Sequence, residues 1–324
     1  MVRKSLILAI GLSAAMMLAA SAGFAYTPPP TDLVLELKTS TLTGASGSDI
    51  TSLTPAGGTL TASFTKVTSL TGSSTPTSAA NPKVEEATVI GPAKWMRNAT
   101  TVTPAPPLGT GLKAEGPGSF SVANGFTIVA AVRPEDFTSL TNLRSILNIY
   151  NSQLMLGIMD TGALKVRRVT AQTLTSGVIT AATTEILSGP LLTSGTATVL
   201  SMVVNANGSF KVWSSASTGT DPLMNVTSQS KWADGTITSL LKGSPTVHLG
   251  NFAYGSYYSP GASSWRGLVG NTYFYTTAFD DTARLALVDY VKQDMGMLVI
   301  PEPGSILALL VGLGSLAGFI RRKR

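Results

Sequence analysis

The side chains that could do chemistry are few and poorly grouped. The 324-residue chain has no cysteine and a single histidine, His248. Without thiolates there is no cysteine nucleophile, no disulfide framework and no Cys-held zinc or iron–sulfur centre. One imidazole leaves a Ser-His-Asp constellation without spare parts, and no Gly-x-Ser-x-Gly elbow occurs. Carboxylates come as adjacent pairs, Glu85-Glu86 and Glu135-Asp136. Neighbours along a strand point to opposite faces, so neither is the one-faced couple that retaining glycoside hydrolysis uses. Both read as solvated loop charge. Asp160, Asp221 and Asp234 sit in turn-like contexts without an Asp-x-Asp cluster, so they read as turn formers. Calcium therefore has no motif behind it, and no cofactor is expected. His248 alternates with Val247 and Leu249 and should face away from them, as a satisfied structural histidine.

The most suggestive stretch for binding is residues 252–265, where Phe252, Tyr254, Tyr257, Tyr258 and Trp265 are spaced by Gly, Ser and Pro. Aromatic faces stack on the C–H surfaces of sugars, with neighbouring hydroxyls and amides fixing the ring. Tyr254, Tyr257, Tyr258 and Trp265 are the candidate ligand-binding residues on that reading. The competing reading makes Phe252 and Trp265 the ends of core strands, with the tyrosines capping the fold. Both readings stand at this point.

The elements that would position these groups are almost all strands. Hydrophobic residues make up 44% of the chain and charged ones 12%, which excludes disorder of the whole. Residues 33–37 open as a strand, and Phe126 to Val132 form a long, largely apolar one. Further runs lie at 146–150, 154–159, 164–169, 199–205, 210–214, 246–252 and 267–276. Asn207-Gly208 and Asp160-Thr161-Gly162 separate pairs of them as tight turns. Many short strands with such punctuation predict an all-β sandwich. Between residues 38 and 80, Ser and Thr fill 21 of 43 positions, which alone would suggest a stalk. The recurring Leu42, Ile50, Leu53, Leu60, Phe64, Val67 and Leu70 argue instead for edge strands of the same domain. The Pro- and Gly-rich run 101–118 reads as a long loop. One helix is expected, residues 282–295, with Asp280 as N-cap and Gly296 as its end. Leu287, Val288, Val291 and Met295 would face the core, and Arg284, Lys292 and Gln293 water.

The two ends read as addresses. Residues 1–25 have a basic start at Arg3-Lys4, an apolar run, and small residues at Gly23 and Ala25, a secretory signal with cleavage after Ala25. Residues 26–31 follow as a Pro-rich spacer. Residues 299–324 contain Pro301-Glu302-Pro303, a charge-free run from Gly304 to Ile320, and the basic tail Arg321-Arg322-Lys323-Arg324. That run would form a transmembrane helix about 25 Å long, its tail held on the cytoplasmic side. A plain membrane anchor is the simpler alternative. The three-part order resembles the PEP-CTERM sorting signal of Gram-negative bacteria. The resemblance implies recognition by exosortase, a membrane-embedded cysteine transpeptidase, after passage through the secretion machinery. It also implies an inner-membrane intermediate, then the cell surface or an exopolysaccharide matrix. With both addresses set aside, residues 26–300 hold seventeen basic and sixteen acidic side chains. The formal charge of +6 therefore belongs to the ends, and no nucleic-acid partner is expected.

Residues 32–298 are similar, in the order of their parts, to the concanavalin A-like, laminin-G-like family. The likeness rests on the opening Leu33-Val34-Leu35-Glu36-Leu37 and on Gly125-Phe126-Thr127-Ile128-Val129-Ala130-Ala131-Val132-Arg133-Pro134. It continues in the Asn207-Gly208 hairpin, in Trp265-Arg266-Gly267, and in Ala278-Phe279-Asp280-Asp281 before the helix. The tryptophan usual in the Phe-Thr-Ile strand is Ala131 here. The resemblance implies a jelly-roll sandwich between a signal helix and a transmembrane helix. It points to a non-enzymatic role in adhesion or in contact with extracellular polysaccharide. The alternatives are a polysaccharide hydrolase or lyase with unrecognised residues, and a structural matrix filler.

Overall fold

A computed structural model describes residues 26–66, 81–86, 93–98, 111–116, 119–135, 143–149, 154–159, 161–175, 178–217, 221–227, 239–241, 246–250 and 265–297. The expected signal peptide with Ala25, the sorting tail with Pro301, Glu302, Pro303, Arg321, Arg322, Lys323 and Arg324, and Tyr254, Tyr257 and Tyr258 lie outside these residues. No described helix is long and apolar enough to cross a membrane. All described secondary structure belongs to one compact body, Pro28–Met297.

In chain order the early strands are β1 (Leu33–Leu37), β2 (Ser52–Leu53), β3 (Phe64–Lys66), β4 (Lys83–Glu86), β5 (Lys94–Arg97), β6 (Leu112–Glu115) and β7 (Ser119–Ser121). The middle of the chain supplies β8 (Phe126–Pro134), β9 (Leu143–Ile149), β10 (Leu154–Met159), β11 (Ala163–Thr175) and β12 (Val178–Leu191). The rest are β13 (Thr198–Val204), β14 (Phe210–Ser214), β15 (Met224–Val226), β16 (Ser239–Leu241), β17 (Thr246–Leu249) and β18 (Gly267–Tyr275), before helix α1 (Asp281–Asp294). Two eight-stranded antiparallel sheets face each other. Sheet A runs β15-β14-β13-β8-β18-β5-β4, with β1 beside β5 on the same flank of β18. Sheet B runs β12-β11-β10-β9-β17-β6-β3-β2.

Alternation decides which residues meet between the sheets. Phe126, Ile128, Ala130 and Val132 of β8 and Leu200, Met202 and Val204 of β13 enter the central cluster from sheet A. From sheet B come Leu147, Ile149, Leu154, Leu156, Val166, Val247 and Leu249. Ile50, Leu53, Leu60 and Phe64, drawn from the Ser/Thr-rich region, are buried in the same cluster. Leu112–Glu115, expected as loop, is instead an internal strand of sheet B, because Leu112 and Ala114 alternate inward with Lys113 outward.

The outer face of sheet A is covered by α1, which packs over β8 and β13. Asp280 is the N-cap, its carboxylate accepting from the Ala283 amide at 2.8 Å, and Gly296 ends the helix at φ 65°. Leu287, Val288, Val291 and Met295 are buried as expected. Arg284, expected to face water, is buried instead. Its guanidinium lies 4.0 Å from the Trp213 ring centroid and pairs with Asp281 at 3.1 Å. An aromatic face plus a carboxylate makes burial of that cation tolerable. A polar cluster fastens the other end of the helix. Asn271 donates to Asp294 at 2.6 Å, Ser40 donates to Asp294 at 3.1 Å, and Lys38 donates to the Tyr290 hydroxyl at 2.7 Å.

Close approach of α1 requires small residues beneath it. A Cβ on Gly270 would meet Ala131 Cβ at 2.8 Å, Met295 Cε at 2.9 Å and Trp95 Cζ3 at 3.0 Å. Gly270→Val should therefore destabilise the fold by about 1–3 kcal/mol through overpacking, lowering the urea midpoint with little change in slope. An unchanged midpoint would mean that α1 does not press on this position.

Candidate functional site

With sheet A closed on its outer side, the face left for a site is the outer face of sheet B. Register places one row of side chains across it. Lys113 on β6 lies opposite His248 on β17, and His248 lies opposite Asn148 on β9. Asn148 lies opposite Met155 on β10, and Met155 opposite Arg167 on β11. His248 and Arg167 are thus three strands apart, roughly 14 Å. A second row, two residues along, pairs Ser145 with Gly157 and Gly157 with Lys165. The two rows stay on one face because β9 carries a bulge beside Leu156, which lets Ile146 and Leu147 both enter the core. Gly157 contributes no side chain, and a Cβ there would strike the Arg144 carbonyl at 2.0 Å.

The centre of this face is withdrawn from water: Ser145 and Asn148 are 0% exposed and His248 is 1% exposed. Lys113 and Lys165, on the flanking strands, stay partly exposed. His248 does face away from Val247 and Leu249, as alternation requires, but it is not satisfied. Neither Nδ1 nor Nε2 has a hydrogen-bond partner, and the Ser145 hydroxyl has none either. Burial, with a smaller contribution from Lys113, pulls the His248 imidazole down to about 4. At neutral pH the ring is uncharged and offers one donor and one acceptor, both unmet.

Trp265 is not a stacking platform. It is fully buried in the central cluster, and its indole N–H donates to the Leu268 carbonyl at 3.1 Å. Its backbone amide closes the base of the aromatic stretch, donating to the Gly250 carbonyl at 2.9 Å. Asn98 donates to the same carbonyl at 3.2 Å, and Gly250 takes φ 68°, where a Cβ would collide with the Asn98 side chain at 2.0 Å. The stretch carrying Tyr254, Tyr257 and Tyr258 therefore leaves β17 two residues after His248 and returns to a fixed stem.

The acidic pairs are not free loop charge. Glu85 lies on β4, and Glu135 directly follows β8. Both carboxylates grip Arg97 of β5, at 3.0 Å and 2.7 Å, and Arg133 adds to Glu135 at 3.4 Å. Arg97 thus gathers two carboxylates that sequence spacing kept apart, as an ion-pair clasp across sheet A. Sequence reasoning also passed over Arg168, whose side chain is buried on the inward side of β11. It pairs with Glu185 at 3.1 Å, donates to the Gly208 carbonyl at 3.3 Å and lies 5.4 Å from the Phe210 ring centroid, tying sheet B to sheet A. Among the described residues no group of three His, Asp or Glu side chains converges to hold a metal. Asp221 is exposed, and Asp160 and Asp234 lie outside the described residues.

No protein-family model and no curated protein matches the chain. Solved structures give low-identity likenesses. Domain 4 of a GH43 extracellular arabinanase from Geobacillus stearothermophilus, in complex with arabinotriose, is 12% identical, with a TM-score of 0.46. That match covers 80% of this chain and 98% of that one. Trypanosoma rangeli sialidase in complex with sialic acid is 12% identical over 83% of this chain and 34% of that one, with a TM-score of 0.43. The binding domain of botulinum neurotoxin serotype D/C is 11% identical over 80% of this chain and 52% of that one, with a TM-score of 0.46. At such scores the site has to be argued from this chain's own residues.

The sign of the His248 shift sets a pH dependence. The folded ring takes its proton near pH 4 and an unfolded one near 6.5, so between them the unfolded chain binds more protons. This contribution is complete above pH 6.5 and falls as pH drops toward 4, by about 3 kcal/mol. Urea unfolding across that range should show a steeper acid loss in the wild type than in His248→Gln. Identical slopes would contradict a buried, neutral imidazole.

Proposed function

We propose that the chain is an exported, non-enzymatic protein of the cell surface or exopolysaccharide matrix. In this reading a concanavalin A-like, laminin-G-like jelly roll contacts extracellular polysaccharide at the partly exposed margins of the outer face of sheet B, where Lys113 and Lys165 flank the buried polar row. The observation that carries it is the buried polar row with unmet groups at its centre, His248 and Ser145. An unpartnered buried donor or acceptor costs about 1–3 kcal/mol, so such groups are rarely kept without use. A sugar presents hydroxyls that both donate and accept, which suits a neutral imidazole and a serine hydroxyl on neighbouring strands. Lys113, partly exposed on the same row, favours a ligand bearing some negative charge. Tyr254, Tyr257 and Tyr258 lie outside the described residues and enter this reading only as the sequence's candidates for stacking on sugar. Export and delivery rest on the two ordered end signals, with exosortase as the processing partner and the membrane as a transient one.

A hydrolase would need two carboxylates free to exchange protons and attack carbon. Glu85 and Glu135, the pair brought together, are both committed to Arg97. That favours binding over cleavage.

The test is a glycan array followed by titration with purified exopolysaccharide, alongside an assay for newly released reducing ends. The wild type should bind and release none. Lys113→Ala and Lys165→Ala should each weaken binding by about tenfold, the equivalent of one hydrogen bond, with the far-ultraviolet spectrum unchanged. Absence of binding, or steady release of reducing ends, would overturn the reading.

A further inference from the structure

Besides β1, whose outer side is bonded by residues 56–60, the two sheets present four edges, and three of them are guarded. β2 is two residues long and β15 three, too short to template another strand. β4 reads Lys-Val-Glu-Glu and is already covered: the Gly47 amide donates to the Val84 carbonyl, and the Val84 amide donates to the Ser48 carbonyl, each at 2.8 Å. The fourth edge, β12, is fourteen residues long, and no described strand lies beyond it.

Its construction is unusual in a second way. β10 pairs with β11 only from Leu164 to Arg168, whereas β11 and β12 stay paired out to Thr175 and Val178. The distal part of this hairpin is therefore a two-stranded ribbon running past the neighbouring strand. Residues 169–184 contain no charged side chain and are rich in Thr, with six among sixteen residues. A two-stranded ribbon alone is marginal in water, and such a composition is a pairing template rather than a guarded edge. Thr183, Ile186, Ser188 and Leu191 are exposed along β12.

We propose that β12 pairs with β12 of a second copy of this chain, antiparallel about a two-fold axis, joining two eight-stranded sheets into one. Self-pairing meets little repulsion: Glu185 is the only charge on the strand, and its carboxylate is held by Arg168 of its own chain. The near balance of seventeen basic and sixteen acidic residues in 26–300 leaves little net charge to keep copies apart. A two-fold pairing is closed, so it consumes the edge without propagating a fibre. β12 is chosen over the free stretch of β11 because it offers a longer run, Val178 to Gly189, before Pro190 removes a ladder donor. The inference stands apart from glycan binding, since the polar row lies on the face of the sheet and this contact on its edge.

The test is sedimentation velocity on the purified full chain over a range of concentrations. A dimer should form whose fraction rises with concentration. Thr183→Lys combined with Ile186→Lys, which sets like charges opposite each other, should return it to monomer with an unchanged far-ultraviolet spectrum. Leu285→Lys, an equally exposed apolar position on α1, should leave the dimer intact. Because the chain has no cysteine, single replacements stepped from Thr180→Cys to Ser188→Cys report the register. One or two neighbouring positions should give a disulfide-linked dimer on a non-reducing gel. A monomer at every concentration, a dimer indifferent to the edge lysines, or no cross-link at any position would each overturn the proposal.

Discussion

The fold depends on one strand that has no exposed side. Every residue of β18 is buried, because sheet B covers one face and α1 the other, while β8 holds one flank and β1 and β5 share the opposite flank. A strand so enclosed has to be apolar in both alternations and thin where the helix comes closest. Gly270 and Ala131 supply that thinness under Met295. Of its two polar exceptions, Asn271 is absorbed by Ser40 and Asp294, and Thr272 donates to the Gly270 carbonyl. The consequence reaches the site. Because α1 seals sheet A, the outer face of sheet B is where polar side chains can gather without competing with the core.

That face is built by alternation from strands that look ordinary one at a time. Lys113, His248, Asn148 and Arg167 come from four strands and meet only through register. Each is the outward partner of apolar neighbours that pull the strand into the core. The β9 bulge keeps Ser145 on the same side. The outcome is a neutral imidazole with unmet hydrogen bonds among buried polar groups, an arrangement that is costly to keep.

What was legible in the sequence were the long apolar runs and strong local signals. β8, β10 and β14 carry continuous or alternating apolar residues, Asn207-Gly208 marks its hairpin, and Asp280 and Gly296 bracket the helix. The strands missed had weaker patterns. β12 is a run of Ala and Thr without clear alternation, and β4 and β5 are charged because they lie at or near an edge. The strand at Leu112–Glu115 was hidden inside a Pro- and Gly-rich run. Trp265 looked like part of a binding loop because its neighbours are Gly, Ser and Pro, yet it lies two residues before the enclosed strand and is buried in the core. Spacing alone showed which way His248 points. It could not show that the ring is left unpartnered, because that depends on side chains distant in sequence.

The single histidine makes the central claim open to one direct measurement, since selective nitrogen-15 labelling of histidine yields the resonances of one ring. The account predicts a neutral imidazole throughout pH 5–7, titrating near pH 4, whose signals move on addition of the polysaccharide that the protein binds. A ring that titrates near 6.5 and ignores the polysaccharide would contradict it, and would return the outer face of sheet B to plain structure.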